Sequence, residues 1–486
     1  MHQETSSEPA AKCHKPWHQL LFVLGEAVLT LLSGAVLFVV VSHVGGPELL
    51  GTYALAFAWL ALFQGLSSFG IPEFLMREVG SHGQAASGQV FHTSLLGLAS
   101  GVAAIALMAI GSRLLDYPAP AVEAVSVAAL AVTPGFLNMV SRSVFLALRR
   151  MHWIFLTVLV EVTIAMSASL YLLLSGYGAS ALMGALVAAR LASALISQGL
   201  LYRRVLVGRQ RFDAAVLRRI AGTVFTFGVG NMLGMLTMRV NTILVSAWAD
   251  VAAVGHFAAA TKIMEIGLII PSLFSQLLMS RIAYSFNIEG SRDPNRFGAW
   301  YEIMFALVIP FCVGIWIFAE PILRILFGTG FEDAAWVLRI LMLYLLIESA
   351  GAVMSVILLA AQRQRQDVIR LAFNPLTNIA LSLMLLPFLG MVGAAIGRLA
   401  GAAVTALLRQ SYIARELTPI RWLPVCLAPM LISTGVGAVC YVLLDLDRPA
   451  WLVAFYLAAT GILIAISSGR SLLAVKDIMS TPAETR

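Results

Sequence analysis

The sequence predicts an all-α protein that crosses a membrane about fourteen times. It is expected to form two pseudo-symmetric lobes of six helices each, with two further helices at the C-terminal end. Three observations predict this. Of 486 residues, 60% are hydrophobic and only 12% charged, where a soluble protein carries about 25% charged residues. The arginines fall into alternate gaps between apolar runs. One stretch of the chain is written twice.

The apolar runs are expected at 20–44, 49–72, 90–112, 121–148, 152–175, 179–203, 220–249, 254–286, 297–319, 334–360, 366–388, 391–413, 420–443 and 449–469. Each is near the roughly 20 residues a bilayer core requires. The gaps at Gly176–Gly178 and at Gly390 are so short that their flanking helices must be antiparallel hairpins. Pro134 in the fourth run and Pro271 in the eighth are expected to bend their helices. Gly97 and Gly101, and likewise Gly393, Gly397 and Gly401, stand at four-residue spacing that suits close helix packing.

Charge sets the orientation. One set of gaps holds Lys12, Lys15, Arg77, Arg149, Arg150, the arginine-rich 203–219 segment, Arg363, Arg365 and Arg415. The other set holds Arg113, Arg324 and Arg448 among acids such as Glu48, Asp116, Asp250, Glu332 and Asp333. Positive charge favours the cytoplasmic side, so both termini are expected there. Adding or removing one helix in the middle would destroy this alternation. Trp17, Trp153, Trp248, Trp300, Trp336, Trp422 and Trp451 fall near span ends, as an interfacial belt requires. The net charge of +7 is thus an orientation signal, and a nucleic-acid partner is not expected. The first apolar run is too long for a cleavable signal peptide.

The repeat joins residues 49–80 to 253–284 without a gap. Gly51 pairs with Gly255 and Arg77 with Arg281, at one offset (255−51 = 204 and 281−77 = 204). A second echo sets ARLASAL (189–195) beside GRLAGAA (397–403), which places Arg190 opposite Arg398. A fainter one links LALRRMHW (146–153) with LAAQRQRQ (359–366). The expected organisation is a tail over 1–19, an N-lobe over 20–203, a linker over 204–219 and a C-lobe over 220–414. Two extra helices over 415–470 and a tail over 471–486 complete it. Two like halves around a shared interface are a common transporter plan.

The segments GGPELLGTYALA (45–56), FGIPEFLMREVG (69–80), RVNTILVSAWADVAAVGHFAAATK (239–262) and GMVGAAIGRL (390–399) resemble the Wzx-like polysaccharide and oligosaccharide flippases. The resemblance covers most of the first twelve helices. It implies a V-shaped fold of two six-helix lobes. It also implies translocation of a polyprenyl-pyrophosphate-linked oligosaccharide by alternating access, in the bacterial inner (cytoplasmic) membrane. Lipopolysaccharide, capsule and exopolysaccharide synthesis all remain open as the destination, with the polysaccharide synthesis machinery as a further partner. One departure stands at Asn241, where the family often has an acid two positions after the helix-7 arginine.

Charged residues inside the apolar runs are the candidates for a site, because a charge at mid-membrane costs about 2.5–3.5 kcal/mol on insertion scales. Arg239 and Lys262 lie at the same depth, each roughly 15 Å from the turn near Asp250 at 1.5 Å per residue. They are expected either to hold an anionic diphosphate, or to divide, with Lys262 paired to Glu265 and Arg239 reaching outward. Arg190 and Arg398 form either a cationic pair across the pseudo-twofold axis or structural ion pairs with a carboxylate such as Glu161. Glu26 and Glu348 are candidate ion-coupling carboxylates. Glu26 alternatively partners an arginine. Asn231, Asn241, Asn374 and Asn378 are candidate polar cavity residues. The asparagines flanking Pro375 serve alternatively to repair the broken backbone. Met232, Met235 and Met238 form a stripe that suits an adaptable surface or ordinary packing.

No catalytic residue, metal-ligand spacing or cofactor motif stands out. Cys13, Cys312, Cys426 and Cys440 are scattered. No phosphate-loop motif is present, so ATP hydrolysis is not the expected energy source. A proton or sodium gradient, or removal of product, is. The alternatives are a cation-coupled multidrug or metabolite antiporter of the related extrusion class and, less favoured, a membrane glycan polymerase or ligase. The latter would need a substantial loop carrying catalytic residues, and the gap at Glu320–Asp333 is short.

Overall fold

The computed structural model of the chain describes residues 16–82, 86–204, 213–287, 294–417, 423–442, 455–456 and 458–463. Among the described residues there are helices and turns and no strand. The helices are α1 (Pro16–Ser68), α2 (Ile71–His82), α3 (Ser87–Leu114), α4 (Ala119–Ala129), α5 (Val132–Ala147), α6 (Met151–Leu174), α7 (Ala179–Arg204) and α8 (Ala214–Trp248). They continue as α9 (Val251–Gly267), α10 (Ile269–Asn287), α11 (Pro294–Ile317), α12 (Ala319–Phe327), α13 (Ala335–Ala360), α14 (Gln364–Leu371), α15 (Phe373–Leu389), α16 (Met391–Glu416) and α17 (Leu423–Val442). Among the described residues, ten segments are long and apolar enough to cross a membrane, the first of them 44 residues long. The protein is a multi-pass membrane protein.

The expected spans map onto these helices in order. The first two are the arms of α1, which runs on through the gap at 45–48 but breaks its geometry at Gly46 (φ 63, ψ −164). Glycine reaches that conformation without the clash a Cβ would bring. Three other spans are each two helices. The breaks fall at Ala131, Leu268 and Ala372, each three residues before a proline: Pro134, Pro271 and Pro375. A proline ring offers no N–H and collides with the preceding turn. The bends expected at Pro134 and Pro271 are present, and Pro375 adds a third. The thirteenth span is α17. The fourteenth lies mostly outside the described residues, as do both tails and Arg292.

Three gaps differ from expectation. Residues 71–82 form α2 rather than a loop. The gap before α13 holds α12, with a 3₁₀ turn at Glu332–Ala334. The linker is shorter than expected, because α8 begins at Ala214 rather than at residue 220.

The repeat is visible in the backbone. LALRR leaves α5 through Arg149 (φ 56), and LAAQR leaves α13 through Gln362 (φ 60). In the first turn the Arg150 N–H donates to Phe145 O at 2.8 Å, and in the second the Arg363 N–H donates to Leu358 O at 2.8 Å. The expected N-lobe and C-lobe correspond to α1–α7 and α8–α16, the two halves of the repeat. They meet where α1 packs along α8 and α9. The core is made of apolar residues from both, among them Leu55, Ala56, Phe257, Ala260, Phe305 and Leu341, all fully buried. The large apolar residues left exposed, such as Leu174, Leu195 and Phe388, suit contact with lipid tails.

Candidate functional site

Helices α1, α8 and α9 frame a small cleft of about 20 Å³ lined by Phe38, Phe57, Arg239, Thr242, Lys262 and Glu265, with small alanines between them. That is far below the roughly 300–1,000 Å³ typical of small-ligand sites. It has room for about one water molecule, so a charged head group enters only when side chains or the halves move apart. The N-half supplies aromatic rings, one from each arm of α1. The C-half supplies the charges.

Arg239 and Lys262 are brought together, as the first alternative requires, but through a carboxylate. Arg239 Nη1 donates to Glu265 Oε1 at 2.8 Å, and Lys262 Nζ donates to Glu265 Oε2 at 3.0 Å. Lys262 and Glu265 are one turn apart on α9, and Arg239 reaches them from α8. Of the second alternative, the Lys262–Glu265 pair is present, while Arg239 turns to the same carboxylate instead of reaching outward. The two cations share one anion, so the cluster keeps one net positive charge. Each cation also lies over an aromatic ring: Lys262 Nζ is 4.4 Å from the Phe38 centroid, and Arg239 Cζ is 5.7 Å from that of Phe57. Ring faces are electronegative and stabilise a cation at this range.

Arg398 does not line the cleft. It lies behind it on α16, fully buried, with Nη2 3.1 Å from the Met238 sulfur and Cζ 4.7 Å from the Tyr344 ring centroid. Its Nε and Nη1 have no hydrogen-bond partner. Its charge reaches Glu265 and also Glu348 on α13. The methionine stripe thus packs against a guanidinium at Met238 and, at Met235, against Gly65 of α1.

Arg190, its counterpart in the repeat, has a different setting. Its Nη1 donates to Gln64 Oε1 at 2.6 Å, and its Nε stands 3.6 Å from Glu161 Oε1. The structural alternative with Glu161 is the one the geometry matches. The equivalence of Arg190 and Arg398 in the repeat does not extend to their environments.

The remaining candidates are spread through both halves. Glu26 is held by both guanidinium nitrogens of Arg142, at 2.7 and 2.9 Å, so it has the arginine partner that was its alternative. Asn231 Nδ2 donates to Glu73 Oε1 at 2.8 Å and joins α8 to α2, away from the cleft. Asn241 donates to Ala394 O at 3.0 Å and fixes α8 to α16. Asn378 Oδ1 accepts from Ser382 at 3.2 Å. Asn374 and Asn378 face α16 where Gly397 and Gly401 let the helices close up. Asn241 Oδ1, Asn374 Oδ1 and Asn378 Nδ2 are buried and unpartnered. Glu348 faces Arg409 and Arg398, and Arg409 itself is paired to Asp367 at 2.7 Å.

The role of Glu265 as a bridge was not legible in the sequence. Its three-residue spacing from Lys262 was a signal, but contact with Arg239 depends on how α8 and α9 pack. Phe38, Phe57 and Gln64 carried no signal, since apolar or amide residues inside apolar runs are common. No group of three or more metal-ligating side chains occurs among the described residues.

The halves touch on both sides of the cleft. Toward the acidic end, Tyr117 and Ser246 share a 2.7 Å hydrogen bond. Gly51 and Gly255 pack backbone to backbone there. Toward the basic end, Asn231 meets Glu73, Gly70 packs on Val224 and Gly228, and the Asp213 N–H donates to His92 Nε2 at 2.8 Å. The halves therefore meet on either side of the cleft.

Comparison with known proteins follows this geometry. The family model described as polysaccharide biosynthesis protein matches residues 46–336. A probable low-salt glycan biosynthesis flippase, Agl15 of Haloferax volcanii, is 26% identical over 206 residues, covering 39% of this chain and 43% of that protein. The chain therefore matches less than half the length of that relative. Among solved structures, the lipid II flippase MurJ in an inward closed conformation superposes with a TM-score of 0.72 at 15% identity, over 95% of this chain and 100% of that one. An inward-facing multidrug resistance MATE transporter gives 0.65 at 17% identity, over 82% and 98%. Both share the fold of this chain.

Proposed function

This chain belongs to the polysaccharide biosynthesis protein family, and on that premise we propose that it flips a polyprenyl-diphosphate-linked oligosaccharide across the inner (cytoplasmic) membrane by alternating access. Both termini would lie on the cytoplasmic side, by the distribution of arginines. The observation that carries the reading is the shared cleft. Two cations on α8 and α9 stand under two phenylalanines of α1, at the seam of the halves, with contacts between the halves on either side. A diphosphate is the charged point of such a lipid. Cations in a low-dielectric wall attract and orient it, and relative movement of the halves would expose it to one side and then the other. Phe38 and Phe57 keep the cations in place over their rings when no ligand is bound.

The related reading, a cation-coupled drug antiporter, shares the architecture. The net positive charge of the cleft argues against cationic drugs as cargo, since like charges repel most where water is scarce. A transporter rather than an enzyme also fits the cleft's content: no histidine, cysteine or serine lines it. Energy from a proton or sodium gradient, and contact with glycan-synthesis enzymes, belong to the same proposal.

The test is export in a host lacking its own flippase. Arg239→Ala and Lys262→Ala should each lower surface polysaccharide at least tenfold while protein in the membrane stays at wild-type level. Normal polysaccharide output from both variants, or drug efflux that survives without glycan export, would reject the reading.

A further inference from the structure

Glu265 occupies the position that the proposed ligand must take. Its two oxygens each hold one cation, at 2.8 and 3.0 Å, and no other carboxylate lines the cleft. A ligand that binds Arg239 and Lys262 has to displace both contacts. Behind Glu265 lies a second feature. Arg398 is fully buried, and Nε and Nη1 lack partners. Among the described residues no carboxylate stands within ion-pair distance of it. A guanidinium with two unpartnered nitrogens in a dry interior is expensive. Glu348, the other carboxylate in its field, also faces Arg409. Arg398 touches Met238, the neighbour of Arg239 on α8, and is thus an open berth for an acid behind the cluster that holds Glu265.

We propose that Glu265 is a resident surrogate for the ligand's charge, which the arriving head group sends from Arg239 and Lys262 to Arg398, and that this exchange selects a dianionic diphosphate linkage over a monoanionic phosphate linkage. The inference rests on the reading of the chain as a flippase for lipid-linked glycans. The selection follows from counting contacts. A diphosphate diester has two charged phosphoryl groups, one for each cation, and frees Glu265 completely. A phosphate diester has one. It replaces one oxygen of Glu265, leaves the other cation dependent on the same carboxylate, and sets two anions side by side in a small cleft. Like charges at such range disfavour each other. The device works without covalent chemistry, because only ion contacts are exchanged.

The experiment measures binding to purified full-length protein in lipid nanodiscs. The probes are a short-prenyl diphosphate-linked N-acetylglucosamine and the corresponding monophosphate-linked sugar. Wild-type protein is expected to bind the diphosphate at least tenfold more tightly. In Glu265→Gln the monophosphate should gain, so that this ratio falls at least fivefold. Arg398→Met should weaken the diphosphate alone. Glu265→Asp keeps the charge but is one methylene too short to span both cations. It should lie between wild type and Gln, and it serves if the Gln variant does not fold. An unchanged ratio in the Gln or Asp variant, or no preference in the wild type, overturns this inference and leaves the flippase reading standing. Failure of wild-type protein to bind either probe overturns both.

Discussion

Gly51 and Gly255, 204 residues apart and equivalent in the repeat, lie backbone to backbone where α1 crosses α9. A Cβ on Gly51 would collide with Val251 O and approach Gly255 N. A Cβ on Gly255 would collide with Pro47 O and approach Gly51 N. A matched pair of the sequence repeat is therefore also a contact across the seam of the halves. Small residues allow such approach within a bilayer.

This contact predicts that Gly51→Val or Gly255→Val will hold the acidic end apart. Overpacking typically costs about 1–3 kcal/mol, enough to shift a closed state that is stable by a similar amount. A cysteine introduced at Ala58, which lines the cleft, should then react with an impermeant maleimide several times faster than in the parent. Gly34→Val, where an added Cβ meets nothing within 4 Å, is the control expected to change little. Equal reactivity in the valine variants and the parent would show that the glycine contact does not keep this end shut.

Much of the fold could be read from the chain, and the reason is physical. Every membrane span must satisfy its own backbone hydrogen bonds, so length, hydropathy and charge alternation identify helices without knowledge of packing. The prolines at 134 and 271 announced their breaks because a missing N–H is a local property. The site was less legible. That Lys262 and Glu265 share a helix face is local, but that Arg239 takes the other oxygen of Glu265 depends on the register of α8 against α9. Arg190 and Arg398 look alike in sequence, yet Gln64 and Glu161 stand beside one and Met238 beside the other. α2 and α12 were hidden in short polar gaps, where amphipathic helices of 12 and 9 residues do not reach spanning length.

Arg142 and Glu26 should behave as a structural pair joining α5 to α1. Glu26 is nearly buried, whereas the Arg142 side chain is 53% exposed, so solvent screens the interaction. Glu26→Gln should cost on the order of 1 kcal/mol, at the upper end for half-exposed pairs, seen as a lower melting temperature. The swap Glu26→Arg with Arg142→Glu should recover part of the loss and restore export. Restored stability without export would assign Glu26 the coupling role instead.

Arg190 should prove structural in the same sense. Its side chain joins Gln64 of α1 to Glu161 of α6, and Asn138 adds a 3.3 Å bond to the Arg190 carbonyl. Removing one member of a buried pair costs roughly 3–5 kcal/mol, and this pair, with the Glu161 side chain 27% exposed, should cost less. Arg190→Gln should therefore reduce the amount of folded protein, and Glu161→Gln combined with it should lose less than the sum of the two. A cycle of the four proteins, scored by melting temperature in detergent, measures the coupling. Strictly additive losses would mean the 3.6 Å contact contributes nothing.

Arg398 should show the opposite sign. A charge buried with no carboxylate at hand is a burden on the fold, and exchange of such groups for apolar side chains of similar size is often neutral or stabilising by about 1–4 kcal/mol. Methionine is the apt replacement, being unbranched and able to pack beside Met238 and Tyr344. Arg398→Met is expected to melt a few degrees above the parent while glycan export falls, because the residue would be kept for transport at the expense of stability. The two readouts separate the explanations. A variant that is less stable would mean that Arg398 holds the C-half together through its ring and sulfur contacts. One that is more stable and exports normally would mean that its charge has no part in transport.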